Sequence, residues 1–522
     1  METTTTPSLT WPETTFGDAL LAAGLLVLGI VTRLPFRSQV LYHWDSVNFA
    51  LATEHFDIAT GQPQPPGYLL YVLLGRLVNQ GTGDPQVSFV SLSVVFTGLS
   101  IAAMFILGTA MFDRQTGLAA ALLLWSSPLF WFYGEVALPH TLDAFFVILA
   151  AFLFYQVKQG RYEYLTPAAL VLGIAGGFRP QTLLFLLPLS AYAVWPIGPR
   201  KLILPLALLT ITCLSWVVPL LALSGGLVKY QEITAAFSAS FQYFDATRLL
   251  LQGDATALGR NASKLLRYTV YAMGPALLPL VFPLVSARRS SALWTPKIAF
   301  LLIWSLPAVI FYLFVHMGQQ GLIFVFLPVL LLMSARCLTG LGSFVPHGDR
   351  LAQTLALMIG LTGALTFILS PEYPFGQDLK VLSWKTIENH DRQYRNLFSA
   401  IRGGFSPADT VILAADWRTA GYYLPEFECL HVPPPRSSEL GSALLPESEN
   451  RFSLAQEDGN LGSHERVNVV LFDNTFNGNG DQSWIQTETT TNGTGLRYFK
   501  LSREEVIMWG ADWLEVKKVA PQ

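Results

Sequence analysis

Along this chain, apolar residues gather into long runs separated by short polar gaps, and each run is close to the length of one bilayer crossing. A transmembrane helix needs about 20 mainly apolar residues to cross roughly 30 Å of hydrocarbon. About eleven such runs stand near residues 16–33, 86–112, 116–133, 140–157, 165–178, 180–196, 202–223, 268–287, 298–316, 320–338 and 352–370. The fifth and sixth are short and divided by Arg179-Pro180. The first run follows no basic segment and precedes no small-residue cleavage pattern, so it is read as a retained helix. The pattern predicts an α-helical, multi-pass membrane protein.

The polar gaps give an orientation. Arg114, Lys158, Arg161, Arg200, Lys201, Arg288, Arg289 and Arg350 follow even-numbered runs and Arg336 stands at the end of the tenth, whereas 134–139 and 316–320 hold no Lys or Arg. Basic short loops stay on the cytoplasmic side. The expectation is therefore a cytoplasmic (inner) membrane protein with its N-terminus inside and its C-terminal segment outside.

Three outer segments exceed a connector. Residues 34–85 contain two apolar stretches, 46–59 and 68–78, that suit helices lying in the interface. A second long loop covers 224–267. Beyond 371 the pattern turns mixed, with 410–414 and 467–472 reading as short buried strands and 386–401 as an amphipathic helix. These segments predict a membrane domain over 1–370 and a small extracytoplasmic α/β domain over 371–522. No Walker-type lysine loop or dinucleotide fingerprint follows the predicted strands, which argues against a nucleotide site.

Composition agrees: 52% of residues are hydrophobic and only 13% charged, well below the roughly 25% charged of soluble domains. A net charge of −3 lacks the cationic surplus a nucleic-acid binder needs. Cys213, Cys337 and Cys429 show neither a disulfide framework nor metal-type spacing.

Candidate chemistry collects on the predicted outer side. His43-Trp44-Asp45-Ser46 follows the first helix, and Gln64-Pro65-Pro66-Gly67-Tyr68 forms a tight turn beyond it. Set between Trp44 and apolar residues, the Asp45 carboxylate is poorly hydrated and suited to accept a proton, or it caps the helix beginning at Ser46. Glu135 ends Trp131-Phe132-Tyr133-Gly134-Glu135, and carboxylates at such depth line wet cavities or pair. Asp143 starts the next helix, where capping and the helix dipole account for it. Arg179, in Gly176-Gly177-Phe178-Arg179-Pro180, can grip a phosphate at headgroup depth or merely snorkel. His316 and Gln319, in His316-Met317-Gly318-Gln319-Gln320-Gly321, can hydrogen-bond a sugar or phosphate. In the 224–267 loop, Lys229, Arg248, Arg260, Lys264 and Arg267 accompany Tyr230, Tyr243 and Phe244. That mixture suits interfacial anchoring or a lid over an anionic lipid headgroup.

Taken in order, these motifs resemble the C-type (GT-C) membrane glycosyltransferases, in the bacterial branch related to protein mannosyltransferases and polyprenyl-phosphate-sugar dependent transferases. The resemblance covers the layout of about 16–370 and a few dozen motif positions. It implies a transfer of a monosaccharide from a polyprenyl-phosphate donor to a hydroxyl on a lipid, glycan or protein acceptor, with inversion. It implies Asp45 as the catalytic or metal-associated carboxylate of the first outer loop, so a divalent cation is compatible. Glu135 resembles the second acidic residue of the family, Arg179 the arginine that holds the donor phosphate, and His43, Tyr68, His316 and Gln319 fall at substrate-binding positions. Gln64 stands where the family often has histidine. A transporter or lipid flippase is the rival class, against which the sequence shows no inverted or parallel repeat.

Overall fold

The computed structural model describes residues 16–240, 246–281, 296–342, 348–376, 379–432, 451–454, 461, 464–473, 484–489, 495–509 and 514–518. Arg288, Arg289, Tyr243 and Phe244 lie outside the described residues. Two compact units are present, one built from 1–38, 66–223 and 245–387, the other from 39–65, 224–244 and 388–522.

In chain order the helices are α1 (Phe16–Arg33), α2 (Trp44–Glu54), α3 (Leu69–Thr82), α4 (Pro85–Met111), α5 (Arg114–Ser126), α6 (Pro128–Tyr133), α7 (His140–Lys158), α8 (Leu165–Phe178) and α9 (Pro180–Val194). They continue with α10 (Pro199–Leu223), α11 (Leu227–Ser240), α12 (Ala246–Leu251), α13 (Thr256–Met273), α14 (Pro296–Phe314), α15 (Leu327–Gly342), α16 (Gly348–Leu369), α17 (Trp384–Gly404) and α18 (Trp417–Tyr423).

Among the described residues six helices are long and apolar enough to cross a bilayer: Phe16–Phe36, Pro85–Met111, His140–Lys158, Pro199–Leu223, Pro296–Phe314 and Arg350–Leu369. Helices α5 and α6 pass the same test only as a pair, bent by 64° at their junction, and make a seventh if the pair is one span. The bend has a local cause, because Ser127 ends one helix while its hydroxyl caps the next and Pro128 cannot continue the first ladder. The other expected spans are shorter helices. Helices α8 and α9, of 14 and 15 residues, are separated by Arg179, whose extended backbone precedes Pro180 as the ring of a following proline demands. The 268–287 run is not one helix: α13 stops at Gly274, which has φ of 48°, and a 3-10 segment (Gly274–Val281) follows; residues 282–287 lie outside the described set.

The first unit is organised around α4, which packs on α1, α5 and α7. Where the driving force for helix association is close packing, small residues let backbones approach. A Cβ at Gly98 would sit 2.6 Å from the Leu26 carbonyl oxygen of α1, and one at Gly108 would sit 2.7 Å from Cα of Gly117 in α5. Both contacts exist only because the residues are glycine.

Among the described residues the second unit contains eight strands, β1 (Thr410–Ala414), β2 (Glu428–His431), β3 (Arg451–Ser453), β4 (Arg466–Leu471), β5 (Gln486–Thr489), β6 (Gly495–Ser502), β7 (Glu505–Trp509) and β8 (Leu514–Lys518). One sheet has the order β2-β1-β4-β6-β5, with β2, β1 and β4 parallel and the rest antiparallel; a second has the order β3-β7-β8. Strand β1 is buried at every position, as a central parallel strand covered on both faces must be. One face meets Leu397, Phe398 and Ile401 of the amphipathic α17, and the other packs with Phe452, Ile507 and Trp509 of the second sheet.

Candidate functional site

Asp45 lies in the first turn of α2. It is not the helix cap. That position belongs to His43, whose Nδ1 accepts the Asp45 backbone N–H at 3.1 Å. The acid is left one residue inside the helix, where a negative charge meets the positive end of the dipole, with its Oδ2 3.8 Å from His43 Nδ1. One turn further along the same face, Asn48 donates to Gln64 Oε1 at 3.3 Å. Gln64 is buried, so within this unit the two ends of the 39–65 segment are tied together by an amide pair.

Arg418, in the first turn of α18, is the residue sequence reasoning missed. Its Nη1 donates to Asn48 Oδ1 at 2.6 Å and to the Gly61 carbonyl at 3.0 Å, and its Nη2 donates to the Thr60 carbonyl. The guanidinium lies 5.1 Å from the Trp44 ring centroid and 4.9 Å from that of Trp417, which suits a flat, weakly hydrated cation. Burial pushes its pKa down to about 10, against which the Asp45 charge pulls upward. At neutral pH it is therefore a cation. Nearby His431 is pushed down to about 4 by burial and by Arg418, and so is neutral. An arginine inside a polar C-terminal region 370 residues from Asn48 carries no motif that could have announced it.

In the first unit, Arg179 is buried and its Nη1 donates to Asp143 Oδ2 at 2.7 Å. Thr182 donates its hydroxyl to the other Asp143 oxygen, and Arg179 Nη2 lies 3.4 Å from the Tyr312 hydroxyl. Asp143 therefore serves neither as a free helix-end charge nor as a cap; it is the counter-ion of Arg179. Tyr68 is another neighbour of the guanidinium. It holds a left-handed backbone with φ of 43° at the start of α3, a conformation that costs a non-glycine residue energy and tends to mark functional sites.

Glu135 is fully buried after α6. Its backbone carbonyl accepts the Ser38 N–H at 3.0 Å, and its carboxyl group faces Arg33 and Trp131. Arg33, at the end of α1, lies 3.9 Å over the Trp131 ring and donates to the Trp125 carbonyl at 2.7 Å. Gln319 meets His140, Oε1 to Nε2 at 2.7 Å, while Tyr133 donates to Gln320 Oε1 at 3.3 Å. Gly321 permits this packing, since a Cβ there would lie 2.5 Å from the His140 ring. His316 is partly buried at the end of α14, with its Nε2 3.0 Å from where a Gly318 Cβ would stand. The structure thus brings Gln319 to His140, Tyr68 to Arg179 and His43 to Asp45. Among the described residues no three His, Cys, Asp or Glu side chains gather as a metal-ligand set.

Over 93% of its length this chain superimposes on 98% of the crystal structure of ArnT from Cupriavidus metallidurans bound to undecaprenyl phosphate, with a TM-score of 0.55 and 12% identity. The apo structure of the same protein covers 92% of this chain and 98% of its own, at TM-score 0.52 and 12% identity. The fold is that of a C-type membrane glycosyltransferase. Residues 64–222 match the family described as dolichyl-phosphate-mannose-protein mannosyltransferase. No curated protein matches the sequence. Within this GT-C fold, the family match takes in Tyr68, Glu135, Asp143 and Arg179, whereas Asp45, His316, Gln319 and Arg418 lie outside it.

Proposed function

We propose that this protein moves a monosaccharide from a polyprenyl-phosphate donor to a hydroxyl on a lipid, glycan or protein acceptor, at the extracytoplasmic face of the cytoplasmic membrane. The observation that carries this reading is the likeness, along nearly the whole chain, to a fold solved with undecaprenyl phosphate bound, joined to an acid and a buried arginine of the right chemistry. Asp45 acts as general base. The acceptor oxygen attacks the anomeric carbon as its proton passes to the Asp45 carboxylate, and the bond from that carbon to the phosphate oxygen breaks with inversion. The lipid leaves as polyprenyl phosphate.

Arg179 stabilises the charge that grows on the departing phosphate. A guanidinium has five N–H donors; one points to Asp143 and one to Tyr312, which leaves donors for phosphate oxygens. Tyr68 flanks the same group. Glu135 beside Arg33 supports the site from the end of α6, and His43, His316 and Gln319 contact the sugar or its phosphate. A divalent cation near Asp45 is compatible with the chemistry of the acid, and no step here is routed through one.

The test uses the purified full-length protein with undecaprenyl phosphates carrying radiolabelled mannose, glucose, N-acetylglucosamine or arabinose, and envelope fractions as acceptor. Transfer from at least one donor is expected. Asp45→Asn should lower it by about 10² to 10⁴, the usual contribution of a positioned base, while undecaprenyl phosphate still binds. Unchanged turnover in that variant removes Asp45 from the role; no transfer from any donor removes the donor class.

A further inference from the structure

Arg418 is held in an unusual way for a buried cation. Its side chain is 6% exposed, yet no carboxylate is in salt-bridge contact with it among the described residues; its hydrogen-bond partners are one side-chain amide and two backbone carbonyls. Its Nε is buried without a hydrogen-bond partner. Taking a cation out of water costs several kcal/mol unless a counter-charge compensates, and neutral oxygens with two indole faces compensate only in part. A neutral side chain of similar size would join the same elements more cheaply. What the guanidinium adds is charge, and Asp45 is the acid that feels it.

Its grip also falls at the right places. Asn48 stands three residues after Asp45 on α2, so a bond to Asn48 fixes the turn that carries the acid. The carbonyls of Thr60 and Gly61 fix the far end of the same segment, and Asn48 links that end again through Gln64. Trp44, which immediately precedes Asp45, is stacked on the guanidinium and meets Trp417 edge to face with ring centroids 6.1 Å apart.

We propose that Arg418 is a positioning residue for Asp45: the C-terminal part of the chain supplies the clamp that holds the acid-bearing turn, and its charge keeps the acid oriented for proton transfer. This rests on Asp45 being the base. The C-terminal region is then part of the acid's mount, and a change in it alters the chemical step.

The experiment compares the full-length wild type with Arg418→Gln, Arg418→Lys, Asn48→Leu, Asp45→Asn and the double variant Asp45→Asn with Arg418→Gln, using whichever labelled undecaprenyl-phosphate sugar the wild type turns over. Arg418→Gln should lower kcat about ten- to a hundredfold, the scale of a misplaced catalytic group, with donor KM within about twofold. Arg418→Lys should recover part of that loss because it restores the charge. Asn48→Leu, which removes one grip and leaves the cation, should fall between them. In the double variant, kcat should be no lower than in Asp45→Asn alone, since a residue acting through the acid has nothing left to act on.

Wild-type kcat in Arg418→Gln, with Asp45→Asn inactive, overturns the positioning role and leaves the base intact. A further tenfold fall in the double variant overturns it too, as does a loss confined to KM. Should Arg418→Gln fail to fold, the lysine and Asn48 variants decide the matter: wild-type kcat in Asn48→Leu together with no activity in a folded Arg418→Lys is the overturning result. Full turnover in Asp45→Asn overturns both the base and its clamp.

Discussion

Removing Asp143 separates what Arg179 does for the fold from what it does for a substrate. The two side chains are 5% and 3% exposed and meet at 2.7 Å, joining α7 to the junction of α8 and α9. In Asp143→Leu the guanidinium stays buried without its counter-charge, which costs about 3–5 kcal/mol, and the Thr182 hydroxyl loses its acceptor for about 1 kcal/mol more. Neutralising both partners is different. Arg179→Met combined with Asp143→Leu leaves no uncompensated charge, and apolar replacements of similar volume commonly match or exceed the stability of a buried pair. The double variant should therefore recover to within about 1–2 kcal/mol of wild type. Denaturant titration in detergent micelles gives the stabilities, and sugar transfer is followed on the same samples. The expected outcome is a double variant that is folded and inactive. A double variant that transfers sugar at the wild-type rate refutes the phosphate role of Arg179, and an Asp143→Leu protein as stable as wild type refutes the structural argument.

Two further outcomes follow from the geometry. Gly98→Val should cost at least about 1–3 kcal/mol, the range for overpacking, because its Cβ would stand 2.6 Å from a backbone oxygen of α1; Gly24→Ala, with nothing within 4 Å, is the control in the same titration, and equal effects would contradict the close approach. His431 titrates near 4 in the folded protein against 6.5 for the free group, so between those values the unfolded chain binds a proton that the folded one does not. Its contribution is fully present above about pH 6.5 and is lost as pH falls toward 4; because the ring is only partly buried, solvent screening keeps the loss well below the roughly 3 kcal/mol that 1.36 kcal/mol per unit would give. His431→Gln should be visibly less destabilised than wild type between pH 7 and pH 5, and parallel curves would show that His431 is not buried neutral.

The elements that repeat along the sequence were legible, and those that depend on distant partners were not. Apolar runs located α1, α4, α7, α10, α14 and α16 because bilayer-length helices are specified residue by residue. Elsewhere the same rule marked runs that the structure divides or shortens. Nothing in the apolar tally of 268–287 outweighs Gly274-Pro275, which break the ladder, and α8 and α9 are apolar without being long. Strand β1 was readable from five consecutive residues that must all be buried, and α17 from its amphipathic period. The sheet order was not, because pairing β1 with β2 and β4 is decided by residues 17 and 58 positions away.

The candidate site divides along the same line. Asp45, Glu135 and Arg179 drew notice because charge in or beside an apolar run is costly and needs a reason. Their partners gave no such signal. Asp143 looked explained by its place at a helix start, and Arg33 drew no notice, yet Asp143 pairs with Arg179 and Arg33 faces Glu135.

Among the described residues three arginines are buried, answered in three ways, and the difference bears on what each can do. Arg179 is in contact with a carboxylate that already cancels much of its charge. A phosphate arriving there must share the guanidinium with Asp143, so the gain on binding is the difference between two anions, and the remaining N–H donors set the geometry of the complex. Arg33 has a carbonyl, an aromatic face and a facing acid, Glu135, which suits a group that fixes helix ends. Arg418 has no contacting carboxylate among the described residues and is bound by neutral oxygens, and a charge not cancelled in contact acts over distance. Such a cation can hold an acid's orientation through the neutral groups it binds. In the proposed reaction, holding the base Asp45 and meeting the departing phosphate therefore fall to different arginines, Arg418 and Arg179.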